Sequence, residues 1–243
     1  MAIAYDNSVT AQHVTPVTAT MTISASATMA LCAVMNGNGS WTVDTMTLNG
    51  VAMTALTNYK ITSGSLNNWK VYIYYLANPS TGSQTFSCSS SSASGGIYIV
   101  AGTWTGTGST VEAFHQDSNT SGSTLTNTVT TLTNNAWCMS FASSDDNGGG
   151  KPTANSGCTL RKLEAVDNVM GLFDSNGAIT PAGSKSFVYN INGTHGGRGV
   201  IMSIPPLASG PTNVKTWDGI SLSSVKTIDD IAIASIKSID GVT

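Results

Sequence analysis

Apolar and polar positions alternate along most of the chain in short runs, each closed by Gly, Asn, Ser or Pro. A period of two over four to eight residues, bounded by turn formers, marks a β-strand with one face on a core. Such runs lie at 28–35, 41–48, 51–56, 69–76, 84–89, 110–114, 124–132, 136–142, 158–165, 169–173, 186–191 and 199–204. Residues 97–105 are almost continuously apolar, which predicts a strand buried on both faces. Asn49-Gly50 between two β-rich runs predicts a tight hairpin, because both residues tolerate positive φ. The 84–89 strand is read as returning from 69–76 across the loop Asn78-Pro79-Ser80-Thr81-Gly82. Residues 89–96 are low in complexity and read as a mobile tip. Only 160–168 holds enough helix formers for a short helix. Many short strands at this spacing predict an all-β sandwich or jelly roll.

The pattern changes after Pro205-Pro206. Residues 1–207 read as the sandwich domain, 208–213 as a linker, and 214–243 as a separate tail. The tail repeats every eleven residues: Val214-Lys215-Thr216-Trp217-Asp218-Gly219-Ile220 returns as Val225-Lys226-Thr227-Ile228-Asp229-Asp230-Ile231, and again, shortened, from Ile236. Its apolar positions are Val214, Trp217, Ile220, Leu222, Val225, Ile228, Ile231, Ile233, Ile236 and Ile239. On a helix Ile220 and Leu222 would lie ~200° apart, so no single stripe forms and a coiled coil is excluded. Short β-branched runs broken by Asp-Gly or Asp-Asp turns fit instead. A short repeat cannot bury its apolar side alone. The tail therefore folds back on its own domain, assembles with tails or sheets of other copies, as in a trimer, or stays disordered.

Composition sharpens this picture. Charged residues make up only 9% of the chain, against about 25% in ordinary domains. Ser, Thr, Asn and Gly cover the surface instead and disfavour helices. With a net charge of −3 and no basic cluster, nucleic-acid binding is not expected. No apolar run approaches 18 residues, so no membrane span is expected. Met1-Ala2-Ile3-Ala4-Tyr5-Asp6 lacks the basic start and apolar stretch of a signal peptide, so synthesis in a cytoplasm is expected. The polar, weakly charged surface nevertheless suits work outside cells.

Candidate chemistry is sparse. Cys32, Cys88, Cys138 and Cys158 form no CxxC and match no zinc spacing; they read as reduced, mostly buried thiols, or as late disulfides in an oxidising medium. His13, His115 and His195 stand apart, and no G-x-S-x-G elbow is present. Glu112 and Glu164 are the candidates for a glycosidase pair, but both read as solvent-facing, with Arg161 or Lys162 beside Glu164. Asp145-Asp146-Asn147-Gly148 lacks calcium-loop spacing and reads first as a solvated loop, with calcium binding as the lesser alternative. Asp174-Ser175-Asn176-Gly177 reads as a turn. Gly193 to Gly199 lacks P-loop order and reads as a tight hairpin. No catalytic residue, metal ligand or cofactor is assigned. Trp41, Trp69, Trp104 and Trp137 read as core. Tyr72, Tyr74 and Tyr75 cannot all face inward on an alternating strand, which makes Tyr72 and Tyr74 a candidate ligand or partner face.

A resemblance joins these segments. The hairpin of residues 43–56, the stretch Val71-Tyr72-Ile73-Tyr74-Tyr75-Leu76-Ala77-Asn78-Pro79 with Gly82, and the strand 97–106 resemble a group of phage and bacterial β-sandwich proteins over about residues 25–205. The VKTxDGI tail resembles C-terminal extensions of tailed-phage virion proteins. The resemblance implies a concanavalin-like jelly roll. It also implies a non-enzymatic virion protein (head decoration, fibre or attachment type) exposed on the particle and partnered by itself and by other virion proteins. A host surface glycan is the alternative partner, through a carbohydrate-binding adhesin module; a glycoside hydrolase on the same fold ranks below both.

Overall fold

The computed structural model describes residues 2–13, 16–36, 41–61, 69–92, 96–119, 122–144, 151–164, 170–191 and 196–208, with the short pieces 216–217, 220–221, 227–228 and 231–232. It divides into two compact units, Ala2–Pro206 and Leu207–Thr243.

The first unit is built from antiparallel strands. In chain order they are β1 (Ala4–His13), β2 (Val17–Ile23), β3 (Ala27–Asn36), β4 (Thr45–Leu48), β5 (Val51–Ala52), β6 (Thr54–Lys60), β7 (Lys70–Ala77), β8 (Gly82–Ser89) and β9 (Ile97–Thr105). They are followed by β10 (Ala113–Asn119), β11 (Thr124–Thr130), β12 (Trp137–Ser144), β13 (Pro152–Ser156), β14 (Thr159–Leu163), β15 (Met170–Asp174), β16 (Ser184–Ile191) and β17 (Gly197–Ile204). The first nine make an inner sheet ordered β1-β9-β3-β7-β6 and an outer sheet ordered β2-β8-β4-β5. The next eight make an inner sheet ordered β10-β17-β12-β15-β14 and an outer sheet ordered β11-β16-β13. Substituting β10 for β1, β11 for β2, β12 for β3 and so on to β17 for β9 turns the first pair of sheets into the second, with β5 the one strand lacking a counterpart. The sandwich expected from strand spacing is therefore present twice, where the sequence suggested one.

Side-chain alternation explains the layering. On β3, Leu31, Ala33 and Met35 face a core shared with Met139 and Phe141 of β12, Leu172 of β15 and Met202 of β17. The intervening Ala30, Cys32 and Val34 face Val17, Ala19, Met21 and Ile23 of β2 and Phe86 of β8. On the far side, Cys138, Ala142 and Ile201 of the second inner sheet meet Leu125, Val129, Phe187 and Tyr189 of its outer sheet. The order is outer, inner, inner, outer, and both inner sheets are apolar on both faces. This is why β9 is buried along almost its whole length, as the unbroken apolar run predicted. The outward faces of the outer sheets carry cross-strand hydroxyl pairs: Thr20 with Thr85 at 2.8 Å, Thr45 with Ser89 at 2.6 Å, and Thr128 with Ser186 at 2.7 Å.

The Asn49-Gly50 hairpin is as expected, with φ of 50° and 83° and Leu48 paired to Val51. Other local readings need correction. Strand β8 does not return along β7; it pairs with β2 and β4 in the outer sheet, so the 78–82 loop crosses between layers. The 160–168 helix is absent where described: Thr159–Leu163 is a strand on β15, and the ladder overrides a weak local helix preference. Residues 165–168 lie outside the described residues. The 193–199 segment is not a ladder hairpin, because β16 and β17 belong to different sheets; residues 192–195 lie outside the described residues. The strand expected at 110–114 instead begins at Ala113 and continues through polar residues to Asn119. At the 89–96 tip, the Ser91 amide donates to Asp44 Oδ2 and the Ser90 hydroxyl to the Thr42 carbonyl, so its first residues are anchored; 93–95 lie outside the described residues.

In the second unit, β18 (Thr216–Trp217) pairs with β19 (Ile220–Ser221), and β20 (Thr227–Ile228) pairs with β21 (Ile231–Ala232), all antiparallel. Trp217 pairs with Ile220, and eleven residues later Ile228 pairs with Ile231 in the same register. Of the tail's apolar positions, Val214, Leu222, Val225, Ile233, Ile236 and Ile239 lie outside the described residues.

Candidate functional site

Strand β7 places Tyr72 and Tyr74 toward the first outer sheet, not toward solvent. Tyr74 is buried, and Tyr72 stacks edge-on against Trp41 with centroids 5.1 Å apart and donates its hydroxyl to the Trp41 carbonyl at 3.0 Å. Tyr75 leans on the core between the inner sheets. The expected open tyrosine face is therefore absent: an inner sheet covered on both sides leaves neither face of β7 free. Trp41, Trp104 and Trp137 are buried, and Trp69 packs against the central core.

The two glutamates do not form a pair of solvent-facing groups. Glu164 is fully buried, correcting the reading from sequence, and Arg161 turns to Asp174 instead. Glu112 Oε1 accepts from Ser203 Oγ at 2.6 Å and the Leu132 amide at 2.9 Å. Burial works to raise its pKa, but these bonds and those from Thr133 outweigh it and hold the carboxyl below the usual glutamate range. The stability it carries is therefore complete above that range and is lost as pH falls through its lowered folded value. Glu112→Gln is expected to flatten the acid side of a plot of urea midpoint against pH while leaving the profile above about pH 6 parallel to the parent. A parent-like acid side in the variant would contradict the assignment.

All four cysteines are free. Burial is the main cause that pushes the thiols up: Cys88 and Cys138 to about 12, Cys158 to about 11, and Cys32 well above its ordinary value. Such thiols are poor nucleophiles. His115 is exposed, while His195 and Asp145-Asp146 lie outside the described residues. Among the described residues no group of three or more His, Cys, Asp or Glu could hold a metal ion.

Two polar sites sit where the two sandwiches meet. The first is buried. Asp174, fully buried at the end of β15, accepts from Trp104 Nε1 at 2.9 Å and Arg161 Nε at 2.8 Å, while its other oxygen caps the Asn176 amide at 3.0 Å. Arg161 also donates to Asn176 Oδ1 at 2.6 Å and lies 4.6 Å over the Tyr5 ring. The cluster thus ties β1 and β9 to β14 and β15. The Asp174–Gly177 segment is the expected turn, with Asn176 at φ 49°, but its aspartate also joins the halves.

The second site is open. Gln116 of β10 donates to Thr57 Oγ1 and to the Asn58 carbonyl of β6, holding the two edge strands together. Beside this clamp is a cleft of about 210 Å³ lined by Tyr59, Gln116, Asp117, Ser118, Arg198 and Gly199. Tyr59 rests its ring on the central core and sets its hydroxyl 3.2 Å from Ser143 Oγ. The register pairs Asp117 with Gly199 and Ser118 with Arg198; side chains alternate along a strand, so Ser118 and Arg198 share one face of the sheet and Asp117 lies on the other. Gly199 has no room for a side chain: a Cβ there would lie 2.4 Å from Asn127 Nδ2. Sequence reading missed this cleft, since its residues come from three strands and share no motif.

No protein-family model and no curated protein matches the chain. Among solved structures, the chain is similar to the major capsid protein P2 from Bacteriophage PM2, with 7% identity, TM-score 0.25, and 87% of this chain and 98% of that one covered. It is also similar to the ANXUR2 extracellular domain from Arabidopsis thaliana, with 9% identity, TM-score 0.26, and coverage of 82% and 84%. At these scores neither likeness carries an argument.

Proposed function

We propose that this is a non-enzymatic structural protein of a phage particle, of jelly-roll type, that assembles with copies of itself through its C-terminal repeat and sits on the particle exterior. The observation that carries the reading is the tail: one hairpin register recurs at the eleven-residue repeat. Two-residue strands are far too short to stand alone, and an isolated hairpin is marginal even at greater length. The paired residues are Trp217 with Ile220 and Ile228 with Ile231. Strands added from other copies would complete such sheets. The sparse charge of the chain also favours close association of like copies.

Truncation after Asn213 tests this. The full chain is expected to sediment as an oligomer, and the truncated chain as a folded monomer of the first unit. Equal oligomeric mass for both chains would overturn the assembly role.

A further inference from the structure

We propose that the buried cluster of Tyr5, Trp104, Arg161 and Asp174 selects which halves of the first unit pair: each half accepts the other and rejects its own kind on a second copy. This goes beyond the assembly reading and does not depend on the tail.

The two halves match in register as well as in strand order. Leu56 bulges out of β6 between the pairs Ala55–Tyr74 and Thr57–Ile73. Arg161 bulges out of β14, the counterpart of β6, between Leu160–Phe173 and Lys162–Leu172. Each half also carries one carboxylate held in the same way. Asp6 Oδ2 accepts from Thr103 Oγ1 at 2.8 Å and from the Ser24 amide, just past β2, at 3.1 Å. Glu112 Oε1 accepts from Ser203 Oγ of β17 and from the Leu132 amide, just past β11. The packing of the halves is reciprocal. Arg161 of β14 lies over Tyr5 of β1, while Gln116 of β10, the counterpart of β1, is bonded to β6, the counterpart of β14. A surface that meets its own counterpart is isologous, the geometry of a symmetric dimer. On backbone alone, either half could pair with the same half of another copy.

Side chains break that equivalence. Leu31 pairs with Tyr75 and Gly102 as Met139 pairs with Asp174 and Met202, so Tyr75 answers to Asp174, and Ile204 to Trp104 two residues on. Tyr5 and Val111 each precede the held carboxylate. The junction of β1 with β14 is therefore polar, and its counterpart is Val111, Ile204, Leu56 and Tyr75, all in or against the central core. Two second halves would set Asp174 against Ile204 at both junctions, and the buried carboxylate would lose its indole donor. Two first halves would set Trp104 against Tyr75, and the buried indole N–H would lose its carboxylate twice. Only unlike halves satisfy every buried group, which is specificity by penalising the wrong partner.

The test gives the full chain the residues of the other junction: Tyr5→Val, Trp104→Ile, Arg161→Leu and Asp174→Tyr. Parent and variant are unfolded in urea, refolded at about 1 μM or about 200 μM, and brought to one concentration for sedimentation. Both chains keep the tail, so a difference between them reports on the halves. The parent is expected to reach the same mass from either refolding. The variant is expected to unfold cooperatively, yet after concentrated refolding to contain species of about twice the parent's mass or more. These should persist on dilution, because traded halves must unfold to part. Arg161→Met with Asp174→Leu removes the buried charges with fewer changes and should trade halves too; it decides the matter if the fourfold variant does not fold. The proposal is overturned if a cooperatively folding variant matches the parent's mass from both refoldings, or if the parent itself trades halves at the higher concentration.

Discussion

Neither residues 2–105 nor residues 106–206, produced alone, is expected to yield a soluble folded protein, whereas the two produced together should associate. Each inner sheet turns one apolar face to the other. Met29, Leu31, Met35, Val71 and Ile73 stand on one side, and Met139, Phe141, Leu172, Val200 and Met202 on the other, all with no measurable exposure. At ~1.5–3 kcal/mol for each large side chain, separation would forfeit far more than the stability of a typical domain. It would also uncover an apolar patch larger than soluble monomers tolerate. Soluble yield, dye binding to exposed apolar surface and co-purification of the two pieces read this out. A half that is monomeric and unfolds cooperatively by itself would show that the sandwiches are independent domains.

Asp174→Ala is expected to destabilise the first unit by about 3–5 kcal/mol, the range for removing one partner of a buried ion pair. The loss goes beyond the 2.8 Å contact with Arg161, because the buried Trp104 indole N–H would also be left without an acceptor. For a unit of this size the thermal midpoint should fall by roughly 6–20 °C. Asp174→Asn, which keeps an acceptor for Trp104, should fall in between. The double change Arg161→Met with Asp174→Leu should cost less than Asp174→Ala alone, because no charge is left stranded. Urea unfolding followed by tryptophan fluorescence measures all three. A loss below about 1 kcal/mol for Asp174→Ala would mean that the cluster does not join the halves.

The strands that sequence reading found are those whose alternation is strong or whose apolar run is unbroken, such as 97–105 and the Asn49-Gly50 hairpin. Strand β2 alternates as cleanly, with Val17, Ala19, Met21 and Ile23 inward and threonines between, although it lies outside the runs expected from sequence. Strand β1 and strand β10 carry polar residues on both faces, and their places come from pairing with β9 and β17, which no local pattern encodes. The duplication was illegible for a related reason. A repeated winding needs only a repeated period of two and suitable crossings between sheets, so Leu31 in one half and Met139 in the other satisfy it without sharing identity. Tyrosine alternation on β7 was read correctly as geometry, but the inference of an open face assumed a two-layer sandwich. Asp174 looked like a turn former because its second task depends on Trp104, seventy residues away. The cleft needed β6, β10 and β17 together, and only the fold brings those edges side by side.

The hydroxyl pairs on the two outer sheets have a consequence for crowding. A skin of threonine and serine hydrogen-bonded across strands wets readily but carries almost no fixed charge. Two such skins facing each other have little Coulomb repulsion for salt to screen. Copies of this protein packed flank to flank would therefore keep their spacing from dilute buffer to brine.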